Sequence, residues 1–357
     1  MKNNLYIFSN TILRRKDNTL LVETLPDSSP IHEADIDESE SEYLISCEPA
    51  LDGNKKKYIP AENIESIYTF GDVRFNSRLL GFVSKHYIPI HVFSYYGKYT
   101  GSFLPKSEIS SGNIVLLQTE SYKNNYKRLI LARKFISGAA KNSISNLQYY
   151  LYRNIPLDEE VSYLKNICNE IENVASVGEL MGIEGNIKSS YYRCWTKIFK
   201  QDVEFTKRVK RPPDNMINSL ISFGNVMLYS ICLNEIYRTG LLPSIGFLHS
   251  PGDNRFPLSF DIAEVFKPLI VDKTIFRVIN LDMIDEKDFF RKGDSLYMKD
   301  KTRKTFVEAI ENRLKTTVLH NELKRHVTYK TLIRLECYNV IKHLKSQEVY
   351  SPYIPEP

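Results

Sequence analysis

The hydrophobic pattern of the chain changes its period once. Over roughly the first hundred residues, apolar positions come in short runs broken by turn residues. The segment "LYIFSNTILRRKDNTLLVE" places a polar "RRKDN" between two apolar runs, which predicts a strand hairpin. "YLISCEP", "KKYIP", "ESIYTFG" and "IPIHVFSYYGKYTGSFLP" continue the pattern and predict a β-rich region. Near Pro105 the spacing lengthens. From "NIVLLQTESYKNNYKRLILARKF" to about residue 345, apolar residues recur at three and four, the period of helices packed on one face. The expected fold class is therefore α+β in two domains: a β-rich N-terminal domain over 1–107 and an all-helical domain over 108–345. "SQEVYSPYIPEP" follows as a Pro-rich tail over 346–357, expected to be loosely held.

Charge refines this division. "LPDSSPIHEADIDESESE" carries seven acids between Asp27 and Glu42, a composition that predicts a flexible acidic insertion over about 26–42. Residues 1–107 hold 12 Lys/Arg against 14 Asp/Glu, while residues 108–357 hold 36 against 29, so the helical part is the better candidate to meet a polyanion. Residues Asn215 to Asn234 carry no formal charge over a length that could span a bilayer. Their interior Asn, Ser and Gly residues, and the stripe of Leu220, Phe223, Met227 and Ile231, predict a buried core helix and no membrane association. The N-terminus has no secretory pattern, and five scattered cysteines without a CxxC pair suit a reducing cytoplasm and argue against a disulfide framework or a thiolate zinc site.

The chemistry concentrates in "SIGFLHSPGDNRFPLSFDIAEVFKP". Helical spacing puts Phe260, Ala263 and Phe266 on one stripe and Asp261 and Glu264 on a neighbouring face. Two unit charges about 4 Å apart repel by roughly 4 kcal/mol at an effective dielectric near 20, so a proton, a base or a cation between them is expected. His249, in the preceding turn, is the obvious third group, and an imidazole with two carboxylates suits a divalent metal. The alternative is a solvated pair of helix acids and a turn histidine with no task. In "VGELMGIEGNIKSSYYRCW", Glu184 lies beside Gly182 and Gly185, which would allow close approach. On a helix it shares a face with Lys188 and Tyr191, a carboxylate next to a cation and a hydroxyl. It could equally be an acid near a helix start. Lys207, Arg208, Lys210 and Arg211 form a basic cluster ahead of Pro212 and Pro213, and Arg128, Arg133, Lys134 and Lys141 lie on another helix; each set is either a DNA-backbone contact or a solvated surface.

Taken together, "LMGIEGNIKSSYY", "RPPDNMINSLISFGNVMLY", "GLLPSIGFLHSPGDNRFPLSFDIAEVFKPLIVDK" and "ESIYTFGDVRFNSRLLGFVSKHYIPIHVFSYYGKYTGSFLP" resemble the CRISPR-associated integrase/endonuclease family of spacer acquisition. The resemblance runs from about residue 5 to 335 and is greatest to the type I branch, subtype I-B in particular. It implies an N-terminal domain used for dimerisation and a helical catalytic domain, with Glu184, His249 and Glu264 as ligands of Mg2+ or Mn2+ and Asp261 as a further catalytic acid. It also implies DNA contacts at Lys188, Tyr191, Lys207, Lys210, Arg211 and Arg255. The implied partners are double-stranded and branched DNA with a CRISPR repeat, a second copy of the chain, and a small ferredoxin-like CRISPR-associated protein. The implied reaction is attack of a DNA 3′-hydroxyl on a phosphodiester, or hydrolysis when water attacks. Three positions depart from the family pattern: Glu264 stands where Asp is common, Asn225 where an aromatic is frequent, and Lys188 where arginine is common.

Overall fold

The computed structural model describes residues 2–25, 55–106, 112–203, 205–209, 212–252 and 256–355. The acidic insertion, the "YLISCEP" run, Lys210, Arg211 and Arg255 lie outside the described residues. The chain divides into two compact units, Met1–Lys106 and Ser107–Pro357.

The N-terminal unit holds two four-stranded sheets. Strands β1 (Asn3–Ile7), β5 (Ile64–Thr69) and β7 (Ile90–Phe93) are parallel neighbours, and β8 (Tyr99–Phe103) returns antiparallel to β7. The other sheet runs β4 (Lys55–Pro60), β3 (Thr19–Thr24), β2 (Thr11–Lys16) and β6 (Val73–Arg74). The expected hairpin is β2–β3, with Asp17 turning the chain at a φ of 54°. Its upstream half, β1, leaves for the other sheet. Leu13, Leu20, Ile64, Ile67 and Ile90 of the strands form the core with Leu79, Phe82 and Val83. The last three belong to α1 (Ser77–Lys85), a helix that the strand-like pattern did not announce; Asn76 caps it by accepting the Leu79 N–H at 3.1 Å.

The larger unit is helical as expected. Its helices are α2 (Gly112–Lys123), α3 (Asn125–Leu151), α4 (Asp158–Glu170), α5 (Val177–Arg193), α6 (Trp195–Ile198), α7 (Met216–Tyr237), α8 (Pro257–Lys267), α9 (Lys273–Asn280), α10 (Asp300–Lys315) and α11 (Tyr329–Leu344). It is not purely helical, because hairpins β9–β10 (Phe289–Lys292 and Ser295–Met298) and β11–β12 (Thr317–His320 and Arg325–Thr328) flank α10. These strands are four residues each, too short for a period to show. The apolar helix α7 is buried against α8 and α11, which explains the uncharged stretch up to Asn234, and its one acid, Glu235, pairs with Arg334. Between α8 and α9, Pro268–Asp272 forms a π-helical turn. The four described cysteines are free.

The tail is not loosely held. Tyr350 is 2% exposed and donates its hydroxyl to Glu336 of α11 at 2.5 Å, while the Tyr353 N–H approaches the same carboxylate. Asn142 of α3 donates to both the Tyr353 carbonyl and the Val265 carbonyl, and the Tyr353 ring stacks on Phe266 at 6.4 Å. Gly138 makes room for this segment, since a Cβ there would lie 2.6 Å from the Pro352 side chain. The tail thus braces α8 from behind. Its aromatic residues, whose spacing is neither 2 nor 3.6, supply the burial that composition alone did not suggest.

Burial raises the Glu336 carboxyl from 4.5 to about 7, against the pull of its Tyr350 and Tyr353 hydrogen bonds. The native state keeps a proton that the unfolded chain releases above pH 4.5. Stability from this group is therefore full below about pH 4.5 and is lost as pH rises through about 7. Thermal unfolding should show Glu336→Gln removing a loss on the order of 3 kcal/mol between pH 5 and pH 8. A variant with the pH dependence of the parent would refute this.

Candidate active site

Helix α8 starts with Pro257, where an N–H would have no partner, and carries two acids into the interior: Asp261 is 0% exposed and Glu264 is 2% exposed. The two do not share one cation, as their spacing suggested. Asp261 turns to the loop before the helix. Its Oδ2 accepts the Phe247 and Leu248 N–H groups at 2.5 and 3.0 Å, and its Oδ1 accepts the His249 N–H at 2.9 Å. Oδ1 also lies 2.8 Å from His249 Nδ1, and a carboxylate already accepting three N–H groups makes Nδ1 the donor. That leaves Nε2 as the free nitrogen of the ring. Gly246 is required here, because a Cβ would meet the His249 carbonyl at 2.6 Å and Asp261 Oδ2 at 3.0 Å. Asp261 is thus buried behind the histidine and holds the His249 loop in place.

The loop is gripped from its other side by residues outside the motifs. Gln118 of α2 bonds the Leu242 and Ile245 carbonyls and the Leu242 N–H. Arg128 of α3 donates to the Phe247 carbonyl at 2.7 Å and to Ser250 at 2.9 Å. Arg128 therefore serves the loop, Arg133 and Lys134 pair with Glu172, and Lys141 is exposed.

Glu264 turns to lysines. Lys267 Nζ lies 2.6 Å from its Oε1 and over the Tyr229 ring, and Lys188 Nζ lies 2.9 Å from its Oε2. The same Lys188 ammonium bridges to Glu184 Oε1 one turn back on α5. Burial pushes the Glu264 carboxyl up, but the Lys188 and Lys267 ammonium ions outweigh it and hold Glu264 well below the usual carboxylate range. Burial likewise works against both ammonium ions, and the carboxylates keep them charged. Glu184 sits mid-helix and not at a helix start. Gly182 and Gly185 do not mediate close packing, since a Cβ at either meets nothing within 4 Å.

Glu184, Lys188, Glu264 and Lys267 line a small cleft with Tyr192 and Asp272. Asp272 and Lys267 are site residues that the sequence motifs did not single out. Burial raises Asp272 from 3.8 to about 8, so it is a neutral acid at pH 7. Tyr191 hydrogen-bonds to it, accepts from Asn146 at 3.0 Å and is 2% exposed. Tyr191 is therefore a core residue, and its assignment as a DNA contact is corrected: although helical spacing groups it with Glu184 and Lys188, its hydroxyl is taken up inside by Asn146 and Asp272. Lys207 is exposed, whereas its neighbour Arg208 is held by Asn218 and Ser222.

These donors suit a hard or borderline cation: two carboxylates already directed at one positive charge, a Glu264 Oε2 without a directed hydrogen bond, and an imidazole with one fixed and one free nitrogen. Among the described residues, no three His, Cys, Asp or Glu side chains are already gathered as a cage. The position between the carboxylates belongs to Lys188.

The family described as CRISPR associated protein Cas1 matches residues 5–312. A protein of Fusobacterium nucleatum named CRISPR-associated endonuclease Cas1 is 41% identical over 353 residues, covering 99% of this chain and 96% of the relative. This chain belongs to the Cas1 family. A solved Cas1 protein from Thermotoga maritima superposes with a TM-score of 0.81 at 35% identity, covering 99% of this chain and all of that one. A casposase bound to integration product shares the fold at a TM-score of 0.81 and 20% identity, over 99% of this chain and 93% of its own. The α+β architecture expected from the sequence is thus that of a Cas1 protein.

Two outcomes follow. Asp261→Ala strands three buried N–H groups at roughly 1–3 kcal/mol each, so its melting temperature should fall far more than that of Asp261→Asn, which keeps one acceptor. Equal melting temperatures would refute the clamp. Tyr191→Phe should leave DNA affinity in gel-shift titration unchanged, and a weakened complex would restore Tyr191 as a contact.

Proposed function

We propose that this chain is a metal-dependent DNA integrase and endonuclease that inserts new spacer DNA into a CRISPR array by 3′-hydroxyl transesterification, in adaptation and antiviral defence. The observation that carries this reading is the convergence of Glu184 and Glu264 on one cation, next to a His249 ring that Asp261 fixes from the same helix as Glu264.

Glu184, Glu264 and Nε2 of His249 would hold Mg2+ or Mn2+. The bound ion would polarise the attacked phosphate and offset the charge on the leaving oxygen. The rest falls to the chain itself. Asp261 fixes the imidazole tautomer and its rotation, so that Nε2 arrives unprotonated and oriented. Lys267 keeps Glu264 ionised in a buried wall, where a lone carboxyl would take up a proton. Gln118 and Arg128 stop the His249 loop from drifting off the α8 face. Lys207 adds positive charge at the surface for the DNA backbone, and Lys210, Arg211 and Arg255 extend that set by family resemblance. Insertion cuts two strands at two positions, which calls for paired catalytic subunits. A homodimer with a small ferredoxin-like CRISPR-associated partner on double-stranded or branched repeat DNA meets that requirement. Water in place of the hydroxyl would make the same site an endonuclease.

A strand-transfer reversal assay tests this. A branched DNA that mimics the half-integrated product is incubated with the protein and Mn2+. Resealing of the target strand with release of the flap is expected, reduced at least about 100-fold in both Glu184→Ala and His249→Ala. Flap cutting without resealing would point instead to a repair nuclease for branched DNA. DNA binding with neither reaction would leave a non-catalytic scaffold.

A further inference from the structure

The ammonium of Lys188 fills the position between Glu184 and Glu264. Glu264 already has a cation of its own in Lys267, 2.6 Å from the other oxygen. A second cation bridging from Glu264 to a carboxylate on another helix is the arrangement of a bridging metal ion with an ammonium in its place. The two lysines differ in how they are anchored. Lys267 has a side chain 10% exposed and packs over the Tyr229 ring at 5.0 Å. The Lys188 side chain is 30% exposed, and Gly185, one turn back on the same face of α5, has no side chain to block its path outward.

We propose that Lys188 is a resident counter-ion: its ammonium holds the cation position while no divalent ion is bound, and leaves it when one binds. This inference rests on the metal-site reading of Glu184, His249 and Glu264. A divalent ion and an ammonium cannot both sit between the same two carboxylates, because like charges a few ångströms apart repel strongly in a partly buried site. An empty position would also be costly, since the Glu264 carboxylate is 2% exposed and would lose half of its compensation. The lysine therefore keeps the carboxylates ionised and facing each other, and the site loads only when a divalent ion outcompetes it. The apparent metal affinity is lowered by the fraction of molecules in which the lysine is in place. Once displaced, the ammonium stays tethered at the rim of the cleft, where an anionic group of a substrate can meet it.

Two measurements on the full chain test this without recourse to activity. Calorimetric titration with Mn2+ should show Lys188→Met binding about tenfold more tightly than the parent, and Glu184→Gln binding more weakly. Amine acylation read by mass spectrometry should show saturating Mn2+ raising the labelling of Lys188 in the parent chain several-fold, with Lys267 unchanged. Unchanged or weaker binding by Lys188→Met overturns the proposal. So does Mn2+ binding to the parent with no rise in Lys188 labelling, an outcome that leaves the metal site itself standing. Absence of Mn2+ binding to both the parent and Lys188→Met overturns the metal-site reading and the counter-ion role together.

Discussion

An ionised carboxylate inside a protein persists only against hydrogen-bond donors or cations, and α8 carries two into the core of the larger unit. Most of the site follows from how each is compensated. Asp261 takes backbone N–H groups and so dictates the course of residues 246–249. Glu264 takes ammonium ions and so draws α5 to α8 through Lys188. One helix therefore organises a loop on one side and a second helix on the other. The two acids, read along the sequence as a like-charged pair, do different work.

This arrangement needs a rigid backing. The tail and α3 provide it: Asn142 ties Val265 to Tyr353, Asn146 ties Tyr191 to the carbonyl of Pro268, and Gly138 lets the tail reach the helices. The π-helical turn at Pro268–Asp272 places Asp272 in the same cleft as Lys188 and Lys267. Burial keeps it neutral near pH 7, so it adds a hydrogen-bonding group to the wall without adding a third negative charge. Buried polar side chains on α3 satisfy groups on four other segments, a use of asparagine that holds the cleft walls in register.

The motifs around Glu184, His249 and Glu264 were legible because each breaks its local pattern: an acid among glycines, a histidine in a turn, an acid in an apolar run. Lys267 and Asp272 were not, since a lysine at a helix end and an aspartate before a lysine occur in any sequence. Tyr191 was misjudged because helical spacing groups it with Glu184 and Lys188, whereas its burial depends on partners on α3 and the Pro268–Asp272 turn.

What the sequence by itself determined is the change of period near Pro105, the burial of α7 and the family, all properties that local spacing and residue type encode. What only the tertiary structure decided is which partner each charge takes: Lys188 between two carboxylates, Arg128 on the histidine loop and the tail against α8. The physical reason is that pairing energy depends on distance and desolvation between segments up to about two hundred residues apart in the chain, and no local pattern carries that information.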